Sequence, residues 1–183
     1  EIYLGLYYDG TPKSALTLDD NIIIVNSFSK YFHMTGWRLG WMIVPEALLA
    51  PIEKLAASLA ICAPTLSQHA ALTCFDPEVM QIYEKRKQSL KQRRDYLVPA
   101  LENLGLTVPV KPDGAFYIYA DIRQHSDDSD AFSQRLLHEA SVAAVPGRDF
   151  GPAHASYTLR FSYATGLERL EEAVARMARF LGV

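Results

Sequence analysis

The hydrophobic positions change period several times along the chain, and each change marks an element. Ile22–Phe28 (Ile-Ile-Ile-Val-Asn-Ser-Phe) is a short, continuous, β-branched run, which predicts a strand buried on both faces of a parallel sheet. Leu39–Val44 repeats the pattern after a Gly-containing turn and stops at Pro45. Ala and Leu then recur at helical spacing over Glu46–Leu59, with Pro51 near the start, and Thr65–Phe75 predicts another short helix. Asp76-Pro77-Glu78 is a strong helix start: an acceptor at the cap, proline at the first helical position and an acid in the first turn. The helix it opens is predicted to run to about Asn103, bent at Pro99, and to stop at Gly105, a length suited to bridging two domains.

After Pro112-Asp113-Gly114 the pattern becomes that of a strand, Ala115–Ala120. A helix over Asp130–Ala140, a strand Val142–Val145, a Pro146-Gly147 turn and a strand Tyr157–Tyr163 follow. Thr165-Gly166-Leu167-Glu168 has the form of a capping box, and Leu167, Leu170, Val174, Met177 and Leu181 give the last helix one apolar face. Strands alternate with helices throughout, which predicts an α/β protein with a sheet fragment before the long helix and a compact α/β domain after it.

Composition adds limits rather than a function. The 183 residues are 49% hydrophobic and 21% charged, ordinary for a globular protein, and the length is sufficient for a core without staples. With 18 basic and 21 acidic side chains the net charge is -3, which gives no reason to expect a nucleic-acid or membrane-surface partner. The basic residues Lys85, Arg86, Lys87, Lys91, Arg93 and Arg94 are interleaved with Glu84, Gln88, Gln92 and Asp95 on the long helix, so they read as a solvated face. No run approaches a membrane span. Cys62 and Cys74 have neither metal-ligand nor disulfide-framework spacing and read as buried small apolar residues in a reducing, cytoplasmic setting. His33, His69, His138 and His154 show no ligand pattern, so no metal site is expected. The chain opens Glu1-Ile2-Tyr3-Leu4 without an initiator Met or targeting segment, as though inside a folded element.

The chemistry concentrates in Ser27-Phe28-Ser29-Lys30-Tyr31-Phe32-His33-Met34-Thr35-Gly36-Trp37-Arg38-Leu39-Gly40-Trp41. A buried strand ends in two hydroxyls and a lysine, at the sheet end where open α/β folds place ligands. Poor hydration there favours the neutral amine, which can attack a carbonyl. Arg38, eight residues beyond Lys30, can fold back to hold an anion with the serines. Such a set suits an aldehyde carrying a phosphate.

This segment resembles the signature of class I aminotransferases, fold-type I enzymes of pyridoxal 5'-phosphate: Ser-x-Ser/Ala-Lys followed by Thr-Gly-x-Arg-x-Gly. The resemblance extends over the chain and in the family's order. Glu1-Ile2-Tyr3 with Tyr8-Asp9-Gly10 is similar to the family's Glu-x-Tyr strand and Tyr-Asp-Gly turn. Pro112-Asp113-Gly114-Ala115-Phe116-Tyr117 is similar to its Pro-x-Gly-Gly/Ala-Phe strand entry. Val145-Pro146-Gly147-Arg148-Asp149-Phe150-Gly151 resembles its Pro-Gly-x-x-Phe-Gly loop, and Leu159-Arg160-Phe161-Ser162-Tyr163-Ala164 its Arg-x-Ser-Tyr/Phe-Ala strand.

The resemblance implies a fold, an activity and a set of roles. Residues 1–75 would end a mostly parallel, cofactor-binding large-domain sheet, 76–105 form a bridging helix, and 106–183 a small C-terminal α/β domain. Lys30 would be the Schiff-base lysine and the proton carrier of the reaction, with Ser27, Ser29 and Arg38 on the phosphate. Tyr3 would hydrogen-bond the ring's phenolate oxygen, and Arg160 would pair bidentately with the substrate α-carboxylate. Taken alone, Tyr3 reads as half-buried packing and Arg160 as an edge-strand arginine; their motifs are what assign them. The implied reaction is transamination between an L-amino acid and a 2-oxo acid in a homodimer. On the same fold, a C–S lyase or synthase, or the cofactor-binding sensor domain of a transcription regulator, would use the same residues. The acid that pairs with the ring nitrogen would directly precede Glu1, so the chain is expected to be the C-terminal half of such an enzyme and inactive alone.

Overall fold

The computed structural model describes residues 1–183. The chain forms two compact units, Glu1–Gln88 and Ser89–Val183, with the division inside one long helix.

In the first unit, β1 (Ile24–Ser27) and β2 (Gly40–Ile43) pair antiparallel, Ser27 opposite Gly40 and Ile24 opposite Ile43. The pairing direction of these two runs is a feature the sequence pattern does not specify. The chain reverses between them, and consecutive strands joined by a reversal pair antiparallel without a crossover helix. Within this chain Ile24 is buried and its neighbour Val25 exposed. The strand expected at Glu1-Ile2-Tyr3 is instead a turn leading into a single 3-10 turn over Leu4–Leu6. It is tied down by the Glu1 backbone nitrogen on the Val25 carbonyl (2.8 Å) and by Glu1 Oε1, which accepts from Ala15 N (2.7 Å). Helices α1 (Glu46–Leu59) and α2 (Thr65–Leu72) follow. The core of this unit is made by Leu6, Ile24, Phe28, Tyr31, Met34, Leu39, Cys74 and Tyr83. Cys62, expected to be buried, is exposed.

Helix α3 (Pro77–Asn103) is one continuous element through Pro99, and it stops where Gly105 takes φ +79°. A side chain at Gly105 would be strained and would meet Gln124 Oε1 at 2.8 Å, so glycine both ends the helix and admits the next segment. Its basic face is not uniformly solvated. Arg94 is only 1% exposed, its Nη1 donating to the Pro112 carbonyl (2.8 Å) and its Nη2 to Asp95 Oδ1 (2.8 Å).

The second unit holds β3 (Tyr117–Asp121), α4 (Ser129–Ala140), β4 (Val145–Pro146), β5 (Thr158–Ser162) and α5 (Leu167–Leu181). The three strands form one antiparallel sheet in the order β3-β5-β4, with Tyr119 and Val145 on either side of Arg160. Alternation sorts the sheet: Ile118, Ala120, Leu159 and Phe161 are buried, while Tyr117, Tyr119, Arg160 and Ser162 belong to the opposite face. Helix α4 is capped by Asp128, whose carboxylate accepts from Asp130 N and Ala131 N (3.0 Å each), and it packs on α5, β4 and β5. The capping box expected at Thr165 does not form. Gly166 is the N-cap of α5 and no side chain caps it.

Candidate active site

The Ser27–Arg38 segment leaves β1 and returns to β2, with Phe28 N on the Leu39 carbonyl (3.0 Å) closing the ladder. Its apolar residues set its shape. Phe28, Tyr31 and Met34 are buried, and Phe28 and Phe32 pack in ring contact with Trp41 and Phe75. The polar residues then bind the turn together: Ser29 N donates to Ser27 Oγ (3.0 Å), Thr35 Oγ1 to the Ser29 carbonyl (2.7 Å), and His33 N to the Lys30 carbonyl (3.1 Å). Arg38 takes a left-handed backbone (φ 52°) and donates from Nη1 to the Thr35 carbonyl (2.8 Å).

This segment carries Ser27, Ser29, Lys30 and Arg38 at one end of the β1–β2 ladder, with Arg38 exposed, Ser29 buried and Lys30 half-buried. The half-buried Tyr3 lies on the neighbouring turn, where Gly5 comes so close to Tyr31 that a Cβ would stand 2.6 Å from the ring's Cγ. Tyr31, beside the lysine, donates its hydroxyl to Glu84 Oε1 (2.6 Å). Burial, then that hydrogen bond, pushes the phenol far above its ordinary value, so it stays a protonated donor. Tyr31 and Glu84 thus anchor the lysine turn to α3, a role with no mark in the sequence because their pairing spans 53 positions.

Arg160 lies in the second unit, on the central strand β5. Its guanidinium carbon stands 4.2 Å from the centre of the Tyr117 ring and 4.4 Å from that of Phe150. Its Nε is buried and has no hydrogen-bond partner. Phe150 closes a 3-10 turn over Gly147–Phe150 and meets Tyr119 edge-on, ring centres 5.9 Å apart. Trp37 is exposed and takes part through its backbone, its carbonyl accepting from Ser67 Oγ (2.6 Å).

Chemically, the hairpin end offers an amine, two hydroxyls and a guanidinium, a donor set that fits a phosphorylated aldehyde such as pyridoxal phosphate. The Arg160 face offers a cation whose buried Nε lacks an acceptor, which fits a carboxylate. With the α/β fold, these two donor sets define a class of chain equipped to bind a phosphorylated carbonyl compound in one unit and a carboxylate in the other.

Comparison with known proteins narrows the class. The model of the family "Aminotransferase class I and II" matches residues 1–177, and the chain belongs to that family. It is 40% identical to a valine–pyruvate aminotransferase of Mycobacterium tuberculosis over 99% of this chain and 47% of that protein. It is 39% identical to aromatic-amino-acid aminotransferase 2 of Thermococcus litoralis, again over 99% of this chain and 47% of the relative. A crystal structure of an aminotransferase from Mycobacterium tuberculosis superposes with a TM-score of 0.94 at 40% identity, covering 100% of this chain and 48% of that one. The fold is therefore that of class I aminotransferases in part, and the chain spans about half the length of the relatives it matches.

Proposed function

We propose that the protein to which this chain belongs transfers an amino group between an L-amino acid and a 2-oxo acid with pyridoxal phosphate as cofactor. Bound pyridoxal phosphate supplies a carbonyl for amine exchange and a ring that takes up the electron pair left when the substrate Cα loses its proton. Lys30 Nζ holds the carbonyl end between turnovers and, as a free amine, moves the proton at Cα. Ser27, Ser29 and Arg38 hold the phosphate, the guanidinium supplying most of the counter-charge. Tyr3 donates to the ring's phenolate oxygen. Arg160 orients the substrate through its carboxylate, which amino acid and oxo acid share. The observation that carries the reading is the grouping of Ser27, Ser29, Lys30 and Arg38 at one end of the hairpin in a chain of this family.

The named relatives act on valine, aromatic amino acids and aspartate, which supports amino and 2-oxo acids as a class and does not select one side chain. A homodimer in a reducing cytoplasm belongs to the same proposal, supported by two unpaired cysteines and by the exposed apolar faces of α1 and α2. The test is borohydride reduction of the full-length protein with pyridoxal phosphate, followed by peptide mass analysis. The cofactor mass should appear on the peptide holding Lys30, and Lys30→Ala should lose it together with amino-acid-dependent formation of oxo acid. Retained turnover in Lys30→Ala sinks the proposal. Release of ammonia or a thiol in place of transfer to an oxo acid would favour a lyase.

A further inference from the structure

One arginine of the second unit is set apart from the ion-paired ones. Arg94, Arg123, Arg135, Arg148, Arg169 and Arg176 each pair with a carboxylate. Arg123 and Arg135 add one ring each to their ion pairs, Tyr157 at 4.5 Å and Phe180 at 5.0 Å, whereas Arg160 has two rings within 4.4 Å of its guanidinium carbon, Tyr117 and Phe150, and a buried Nε with no acceptor. A carboxylate partner would cancel the charge of a guanidinium, whereas a ring face attracts it through the quadrupole and leaves the net charge in place.

The fold builds this arrangement. Tyr119 lies directly opposite Arg160 on β3, and Tyr117, two residues earlier, is the diagonal neighbour on the same face. Phe150 comes from the turn after β4, which is drawn tightly against the sheet. A Cβ on Gly147 would meet the Thr158 hydroxyl, the Ala155 carbonyl (2.7 Å) and the Tyr119 hydroxyl (2.9 Å). Tyr119, whose hydroxyl donates to Thr158 Oγ1 (2.7 Å) while Thr158 donates to the His154 carbonyl, meets Phe150 edge-on.

We propose that Tyr117 and Phe150 are positioning residues that clamp Arg160, fixing its guanidinium while leaving its charge available to a substrate carboxylate. The inference rests on the reading of Arg160 as the carboxylate-binding residue. A fixed guanidinium loses less freedom on binding than a mobile one, so the clamp acts on affinity. It acts equally on any carboxylate, because the amino acid and the oxo acid present the same group to Arg160.

The test uses the full-length holoenzyme. Phe150→Leu and Tyr117→Leu are each expected to raise KM for amino donor and oxo-acid acceptor by the same factor, about five- to tenfold, with kcat within about twofold. Phe150→Tyr and Tyr117→Phe, which keep the ring faces, should restore KM. A second readout is the Arg160 Nε–H signal in nitrogen-15 NMR, displaced by ring currents in the wild type, less so in each Leu variant, and moved by added propionate. Unchanged KM in both Leu variants, a fall in kcat at constant KM, or an effect on only one of the two substrates overturns the clamp. If a Leu variant does not fold, Phe150→Met or Tyr117→Met, which keep bulk without a π face, are read the same way. Arg160→Gln separates the two levels. If it raises KM for both substrates while the Leu variants do not, the clamp alone fails; if it leaves KM unchanged, the role of Arg160 fails with it.

Discussion

In the second unit Leu101, Ile118, Ile122, Leu159 and Tyr163 are sealed from solvent, whereas in the first α1 buries no residue at all. Leu49, Leu55, Leu59, Leu66, Leu72 and Phe75 are exposed there, as are Val25 and Met42, which face each other across β1 and β2. Both regions show apolar side chains at helical or strand spacing, so the difference does not lie in local pattern. It lies in the layers that this chain, about half the length of its relatives, brings to each unit. The second unit has a three-stranded sheet with α4 laid on β4 and β5 and joined to α5, enough to close a core. A two-stranded ladder is marginal by itself, and the first unit offers one. The lysine turn is held by its own ring contacts, the buried Phe28 and the half-buried Phe32 against Trp41 and Phe75.

The sharpest way to break this comparison is a pair of identical truncations. Leu159→Ala, at a fully sealed position, is expected to cost about 3 kcal/mol of unfolding free energy from lost transfer energy and the cavity left behind. Leu55→Ala, on the uncovered face of α1, is expected to fall within about 0.5 kcal/mol of wild type. Denaturant unfolding of the 183-residue chain measures both, and an equal loss at the two positions contradicts the difference between the units.

The next effect concerns the buried guanidinium. Burial opposes ionisation of Asp95, but hydrogen bonds from Lys91, Arg94 and Lys111 outweigh it and hold the carboxyl well below the usual range. Asp95→Asn leaves Arg94 buried with its bond to the Pro112 carbonyl and removes the carboxylate that Nε and Nη2 reach. The expected cost is about 2 kcal/mol, less than for a fully buried pair because the Asp95 side chain is 37% exposed. Arg94→Met, which removes the buried charge along with its need for a partner, should cost less than Asp95→Asn; thermal melts of the two variants give the order.

Gly147→Ala should cost about 1–2 kcal/mol, since the added methyl meets two hydroxyls and a carbonyl that the sheet holds in place. Because the displaced turn carries Phe150, the same variant should raise KM for both substrates of the full-length enzyme. A thermal shift without any change in KM would confine Gly147 to packing.

Much of this architecture was legible in the chain. Pro77 and Gly105 bracket α3 because their backbone restrictions act locally, and the period-two runs around Ile118 and Leu159 locate β3 and β5 because one face must be buried. The Ser27–Arg38 turn was legible for its dense spacing. What escaped were features decided by distant partners. The direction in which β1 and β2 pair, the burial of Arg94, and the Tyr31–Glu84 bond depend on segments brought together only by folding. The rings on Arg160 stood in the sequence as Tyr117 and Phe150, 33 positions apart, and nothing local says that both reach one guanidinium. The Thr165 capping signal failed for the opposite reason, a correct local motif overtaken by a helix that starts one residue later.

The smallest expected effect compares two acids on the same helix, Asp95 in the second unit and Glu84 in the first. Burial raises the Glu84 pKa, but hydrogen bonds from Lys87 and Tyr31 outweigh it and hold the carboxyl below its ordinary value. A carboxyl lowered in the folded state stabilises it above the unfolded value of about 4.3, and that contribution disappears as the pH falls through the folded value. Glu84 is 47% exposed, so solvent screening limits the contribution to about 0.5 kcal/mol. Glu84→Gln keeps an acceptor for the Tyr31 hydroxyl and removes the pairing with Lys87. The difference in melting temperature between wild type and this variant should therefore be small at pH 7 and shrink to nothing well below pH 4. The same pH series on Asp95→Asn should begin from a larger gap and close at lower pH, because three cations hold that carboxyl down. If the two gaps close together, the acids of the two units are held alike, and the contrast between an open and a closed unit does not extend to their electrostatics.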